Sequence, residues 1–138
     1  MKAYVDTSAL LRLILREPGA LAELRSCDGL IASELVAVES YRTLDRLRLG
    51  GSLSADEAAS RGTMVTTWLE AFDLVLLRSA VLTRAGEPLP TPLGTLDALH
   101  LASALVWRDR MGESLTMATH DAALAAAARA FKFEVIGA

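Results

Sequence analysis

Apolar positions along the chain follow two rhythms, short unbroken runs and longer stretches in which they recur at helical spacing. Ala3-Tyr4-Val5, Leu30-Ile31-Ala32, Leu74-Val75-Leu76-Leu77, Leu115 to Thr119 and Phe133 to Ile136 are the short runs, too brief for helices and bounded by turn chemistry, so each predicts a strand. Helix formers fill the intervals. Ala9 to Arg16 predicts a helix stopped by Pro18-Gly19, and Ala20 to Ser26 a second one ahead of Asp28-Gly29. Leu35, Val38, Tyr41, Leu44 and Leu47 mark the apolar face of a helix opened by Ser33-Glu34 and ended by Gly50-Gly51. Ser54-Ala55-Asp56-Glu57 reads as a capping box for a helix to about Ala71. A helix from Ser79 to about Ala85 precedes the Pro-rich loop Gly86 to Pro92; Gly94-Thr95 caps a helix from Leu96 to Arg110, and Asp121 caps an alanine-rich one.

Strands that alternate with helix-length connections imply parallel pairing and right-handed crossovers. The expected fold is a three-layer α/β/α sandwich around a mostly parallel five-stranded sheet, with residues 1–138 as a single domain, since 138 residues suit one core.

Composition narrows the classes. A chain that is 52% hydrophobic and 22% charged is that of a well-packed protein rather than a disordered one. The apolar stretch Leu96 to Trp107 is too short to span a bilayer and reads as a buried helix, and Asp6 and Arg12 break up any export signal, so no membrane role and a cytoplasmic location are expected. Cys27 is the one cysteine: it fits a reducing compartment, rules out a structural zinc site, and reads as a small core residue. The net charge of −3 argues against a broad basic surface, yet of 14 basic residues only Lys2 and Lys132 are lysines. The rest are arginines, suited to bidentate phosphate contacts, and Arg12, Arg16, Arg46 and Arg48 are candidates for that task.

Ligands of open parallel sheets bind beyond the carboxyl ends of the strands. Asp6 ends the first strand, Asp121 follows the fourth, Asp97 lies in the first turn of its helix, and Glu39 lies deeper in the helix after the second strand. Taken singly, Asp97 and Asp121 suit helix caps, and Glu39 a surface partner of Arg42 or Arg46. Several carboxylates gathered in one cleft would repel unless a cation or protons neutralised them, and an all-oxygen set suits Mg²⁺ or Mn²⁺. Asp97, His100 and Ser103 form a polar stripe at spacing of three; His100 reads as a satisfied core histidine, and His120 as an exposed loop residue near substrate.

Tyr4-Val5-Asp6-Thr7-Ser8-Ala9-Leu10, Ser33-Glu34-Leu35 with Glu39 and Arg42, Leu96-Asp97-Ala98-Leu99-His100-Leu101-Ala102 and Ala118-Thr119-His120-Asp121, in this order and across nearly the whole chain, resemble the PIN-domain nucleases, and among them the toxins of VapBC toxin–antitoxin systems. The resemblance implies a Mg²⁺-dependent endoribonuclease in which Asp6, Asp97 and Asp121 hold the metal, Glu39 supports catalysis, and hydroxyls of Thr7 or Ser8 and of Thr119 orient carboxylates or water. Glu34 is the rival for the role of Glu39, which is preferred because Arg42 follows it at the family's spacing. The resemblance also implies an RNA substrate, a homodimer and a small antitoxin protein that covers the acidic cleft. A binding module of the same fold that does not cut RNA is the alternative; a phosphatase or response regulator fits less well, lacking the expected paired acids.

Overall fold

The computed structural model describes residues 1–138, in which Lys2–Val5 (β1) leads into Thr7–Ile14 (α1) and Gly29–Ser33 (β2) into Leu35–Leu49 (α2). Ala55–Ala71 (α3) returns to Phe72–Val75 (β3); Ser79–Ala85 (α4) and Thr95–Met111 (α5) precede Thr116–Ala118 (β4), Ala122–Ala130 (α6) and Glu134–Ile136 (β5). The strands form one sheet in the order β3-β2-β1-β4-β5, and every pairing is parallel. From the central β1 the chain winds outward through β2 and β3, then crosses back to β4 and β5. The change of direction therefore falls beside β1, where crossovers diverge and a crevice opens.

Strand side chains alternate between the two faces. Ala3, Val5, Ala32 and Ala118 join Leu10 and Ile14 of α1, Val36 and Leu44 of α2 and Val65 of α3 in one core. Tyr4, Ile31 and Met117 point the other way, into a second core with Leu101 and Leu105 of α5 and Leu124 of α6. The result is the expected three layers. The stretch from Leu96 to Trp107 is indeed a largely buried helix, and no helix is long and apolar enough to cross a membrane.

Several details depart from the sequence expectations. Ala20 to Ser26 does not form an α-helix; only a 3-10 turn, Ala22–Ser26, fits between the breakers on either side. The third strand begins at Phe72 rather than Leu74 and ends at Val75. Asp73 is tolerated there because β3 is an edge strand and its carboxylate accepts a bond from Trp107 Nε1 at 2.9 Å. On α2, Val38 and Tyr41 are exposed; the buried positions are Leu35, Val36, Ser40 and Leu44, because the row Val36-Ser40-Leu44 faces inward. Cys27 is half-buried at the rim of the first core, not inside it.

Candidate active site

The ends of β1 and β4, the N-termini of α1, α5 and α6, and one face of α2 enclose a cleft of about 530 Å³. Asp6, Glu39, Asp97 and Asp121 all line it, together with Thr7, Ser8, Arg42 and Arg46. The four acids expected from the sequence thus share one cavity although they are spread over 116 positions (121 − 6 + 1).

Asp6 is the N-cap of α1, and its carboxylate is buried. Oδ1 accepts from the Thr7 N–H at 2.8 Å, while Oδ2 accepts from the hydroxyls of Ser8 at 2.7 Å and Thr119 at 2.8 Å. These donors fix one orientation of the carboxylate. Thr119 also accepts the Asp121 N–H at 3.0 Å, so a single buried hydroxyl ties β4 to two of the acids. Asp121 is the N-cap of α6, accepting the Leu124 N–H on Oδ1 at 2.8 Å, so its capping role and its place in the cleft coexist.

Asp97 sits in the first turn of α5 but does not cap it; Gly94 holds that position. Burial pushes its carboxyl above the usual aspartate range, and the charges of Asp121 and Asp6 push further in the same direction, with His100 opposing them. The charges of Asp121, Asp6 and Glu39 around Asp97 mark a cluster of carboxylates.

Glu39 does not pair with Arg42 or Arg46. Its Oε1 accepts from the Thr7 hydroxyl at 2.9 Å and lies 2.6 Å from His100 Nε2. Burial raises the Glu39 carboxyl, but the His100 hydrogen bond and charge, with the Thr7 hydroxyl, outweigh it and hold it below the usual glutamate range. For His100 burial works against the charged ring, yet the Glu39 hydrogen bond and the nearby Asp6, Glu39 and Asp97 charges prevail and raise it. Arg42 instead pairs with Asp45 at 3.1 Å, and Arg46 bonds the Thr43 hydroxyl. Glu34 is exposed, and its carboxylate accepts the Leu77 N–H at 2.7 Å, outside the cleft.

Hard oxygen donors fit a hard divalent cation, and His100, the one imidazole bonded to an acid of the cleft, has both ring nitrogens engaged. No three of the acids converge into a finished ligand cage. Mg²⁺ needs none, because it keeps several waters and takes one or two carboxylates directly. Asp6, Asp97 and Asp121 line the cleft and could offer carboxylates to such an ion.

A profile for the family described as PIN domain matches residues 3–130. The chain belongs to the PIN-domain family. It is 35% identical over 137 residues to Ribonuclease VapC46 of Mycobacterium tuberculosis, covering 96% of this chain and 95% of that protein. Among solved structures, VapBC2 of Rickettsia felis bound to a promoter DNA fragment superposes with a TM-score of 0.66 at 14% identity, covering 98% and 97% of the two chains. A toxin–antitoxin complex from Klebsiella pneumoniae gives 0.62 at 18% identity, covering 86% of each. Both likenesses are likenesses of fold.

Within this PIN domain some residues fall where the sequence reading did not put them. His100 is buried and satisfied, as expected of a core histidine, but its partners are Glu39 and Tyr4, so it belongs to the site. The polar stripe Asp97-His100-Ser103 was the available signal. Of the four candidate arginines only Arg46 lines the cleft; Arg48 pairs with Asp45, and Arg12 lies beside Glu17. Arg42 joins Arg46 there. His120 is half-buried rather than exposed, because Nδ1 meets the Gly137 carbonyl at 2.9 Å and its N–H donates to the Ser8 hydroxyl at 3.0 Å.

Proposed function

We propose that this PIN domain is a Mg²⁺-dependent endoribonuclease, with Mn²⁺ as a substitute, and that it acts as the toxin of a toxin–antitoxin pair. The observation that carries the reading is geometric: Asp6, Glu39, Asp97 and Asp121, from four separate chain segments, line one cleft together with Arg42 and Arg46. A nuclease site needs that arrangement, positive charge for a phosphate beside acids that hold a cation.

Asp6, Asp97 and Asp121 would hold the cation, and the Thr119 and Ser8 hydroxyls fix the orientation of the Asp6 carboxylate. When bound, the cation supplies charge for the phosphate oxygens and makes water more acidic. Arg42 and Arg46 receive phosphates of the RNA strand. Glu39 takes a proton from the attacking water on Oε2, the carboxylate oxygen that His100 and Thr7 leave free. The water oxygen bonds to phosphorus, the P–O3′ bond breaks, and O3′ takes a proton from solvent, leaving a 3′-hydroxyl and a 5′-phosphate.

Support for the antitoxin comes from the Klebsiella pneumoniae structure, described as a toxin–antitoxin complex, and from a cleft whose acids would accept a basic side chain as readily as a cation. A homodimer is supported by the exposed Leu82, part of a second, largely apolar groove between α4 and α5. A cytoplasmic site of action follows from an RNA substrate.

Purified protein incubated with structured and unstructured RNA, in Mg²⁺ or chelator and beside an Asp6→Asn variant, tests the reading. Cleavage by the wild type alone, abolished by chelator, is expected. RNA bound by both proteins and cut by neither would replace the nuclease with a binding module.

A further inference from the structure

Behind the acids lies a chain of buried hydrogen bonds that crosses all three layers. The Ser33 N–H, from β2, donates to Tyr4 Oη at 3.2 Å; Tyr4 Oη meets His100 Nδ1 at 2.8 Å; His100 Nε2 meets Glu39 Oε1 at 2.6 Å. Tyr4 and His100 are both essentially inaccessible to solvent, so neither has water as an alternative partner.

We infer that Tyr4 and His100 are positioning residues that fix the Glu39 carboxylate and leave one of its oxygens free for the reaction, an inference that rests on the nuclease reading for its catalytic consequence. The direction of each bond follows from what each group is able to give. The Glu39 carboxylate only accepts, so His100 Nε2 carries the hydrogen of that bond, and in the neutral ring Nδ1 then has none and accepts the phenolic proton of Tyr4, whose oxygen takes the Ser33 N–H. A ring nitrogen that accepts a proton carries none of its own. Neutral His100 therefore bears its hydrogen on Nε2 and donates it to Glu39; an imidazolium would donate there as well.

Without this anchor Glu39 has another attraction. Arg42 stands three positions further along α2 and lines the same cleft. A released Glu39 would pair with it, and both the proton acceptor and a phosphate contact would be lost together. His100 and the Thr7 hydroxyl hold it against that pull by taking Oε1 between them.

Three variants and one spectrum test this. His100→Ala is expected to lower kcat about 100-fold with KM nearly unchanged, the effect of a misplaced reacting group. His100→Gln offers an amide N–H to Glu39 and a carbonyl to Tyr4, and is expected to recover at least about tenfold of that loss. Tyr4→Phe is expected to fall between them. Thermal melts of each variant separate misplacement from unfolding. Independently of activity, the chain has only two histidines. Nitrogen-15 spectra of the metal-free protein at the alkaline end of its titration should show His100 protonated on Nε2 alone, and Tyr4→Phe should mix the tautomers. A His100 protonated on Nδ1, or a folded His100→Ala with wild-type kcat, overturns the inference. Were the wild type to cut no RNA, the nuclease reading would fail while the tautomer experiment still decided whether the chain of bonds holds Glu39.

Discussion

Replacing Asp6 by Asn and by Ala removes the same charge but different hydrogen bonds, so the pair separates two effects that act at one residue. Asparagine caps a helix about as well as aspartate, so its oxygen keeps the Thr7 N–H. Its amide nitrogen then faces the Ser8 and Thr119 hydroxyls, which rotate to accept. Alanine leaves the Thr7 N–H without its cap. Both variants deprive the Ser8 and Thr119 hydroxyl protons of the Asp6 carboxylate, so that cost is shared. A lost cap costs about 1 kcal/mol, so Asp6→Ala should be about 1 kcal/mol less stable than Asp6→Asn. At this chain length, between the two size classes for which the scaling is known, that is roughly 3–5 °C in Tm. With Mg²⁺ at about a hundred times its Kd the wild type should gain about 2.7 kcal/mol, and the Asn variant should gain far less. Calorimetric melts of the three proteins, with and without Mg²⁺, read all of this. Equal melting of the two variants would refute the hydrogen-bond account, and equal stabilisation of all three by Mg²⁺ would refute the placement of the cation at Asp6.

Other substitutions probe neighbouring parts of the same account. Glu39→Gln should lower kcat by about 10²–10⁴-fold, while Glu34→Gln, which touches only the Leu77 N–H outside the cleft, should leave it within about twofold; similar losses in both would undo the choice between the two glutamates. Arg46→Ala should weaken binding of single-stranded RNA and flatten the dependence of log K on log salt by about 0.7, one phosphate contact; an unchanged slope would remove Arg46 from the path of the strand. Leu10→Ala, at a fully buried position against the sheet, should cost about 2–5 kcal/mol in urea unfolding and spare the metal response of the folded fraction; a loss under about 1 kcal/mol would mean that α1 is not held by the first core.

Much of the fold was legible because its signals are local. An apolar strand that stops at Asp6 and a helix that begins at Thr7 are written in consecutive residues, and so is the capping box, with Ser54 and Glu57 bonded as expected. Errors arose where a longer range decided. Leu74 to Leu77 looked like the better strand, but pairing with Leu30 to Ser33 selects Phe72 to Val75, and Trp107 on another element makes Asp73 acceptable. For Glu39 helical spacing offered Arg42 or Arg46 as a surface partner, yet Arg42 pairs with Asp45, and His100, 61 positions away, takes the glutamate. No window of sequence holds both ends of that bond. The acids themselves were visible because each stands at a strand end or in a helical segment that precedes or follows a strand, and the topology carries those positions to one edge.

The sheet has two open margins, and β3 forms one of them with only four residues. Unpaired backbone on such a margin is a template for another chain. Asp73, exposed in the middle of that short strand, puts a carboxylate on it and ties the same carboxylate to the Trp107 indole. Two copies that met along β3 would bring two acids together. A protein whose working surface is a cleft at the strand ends thereby keeps its sheet from growing sideways, and the residue that most disturbed the strand pattern in the sequence is the one that limits aggregation.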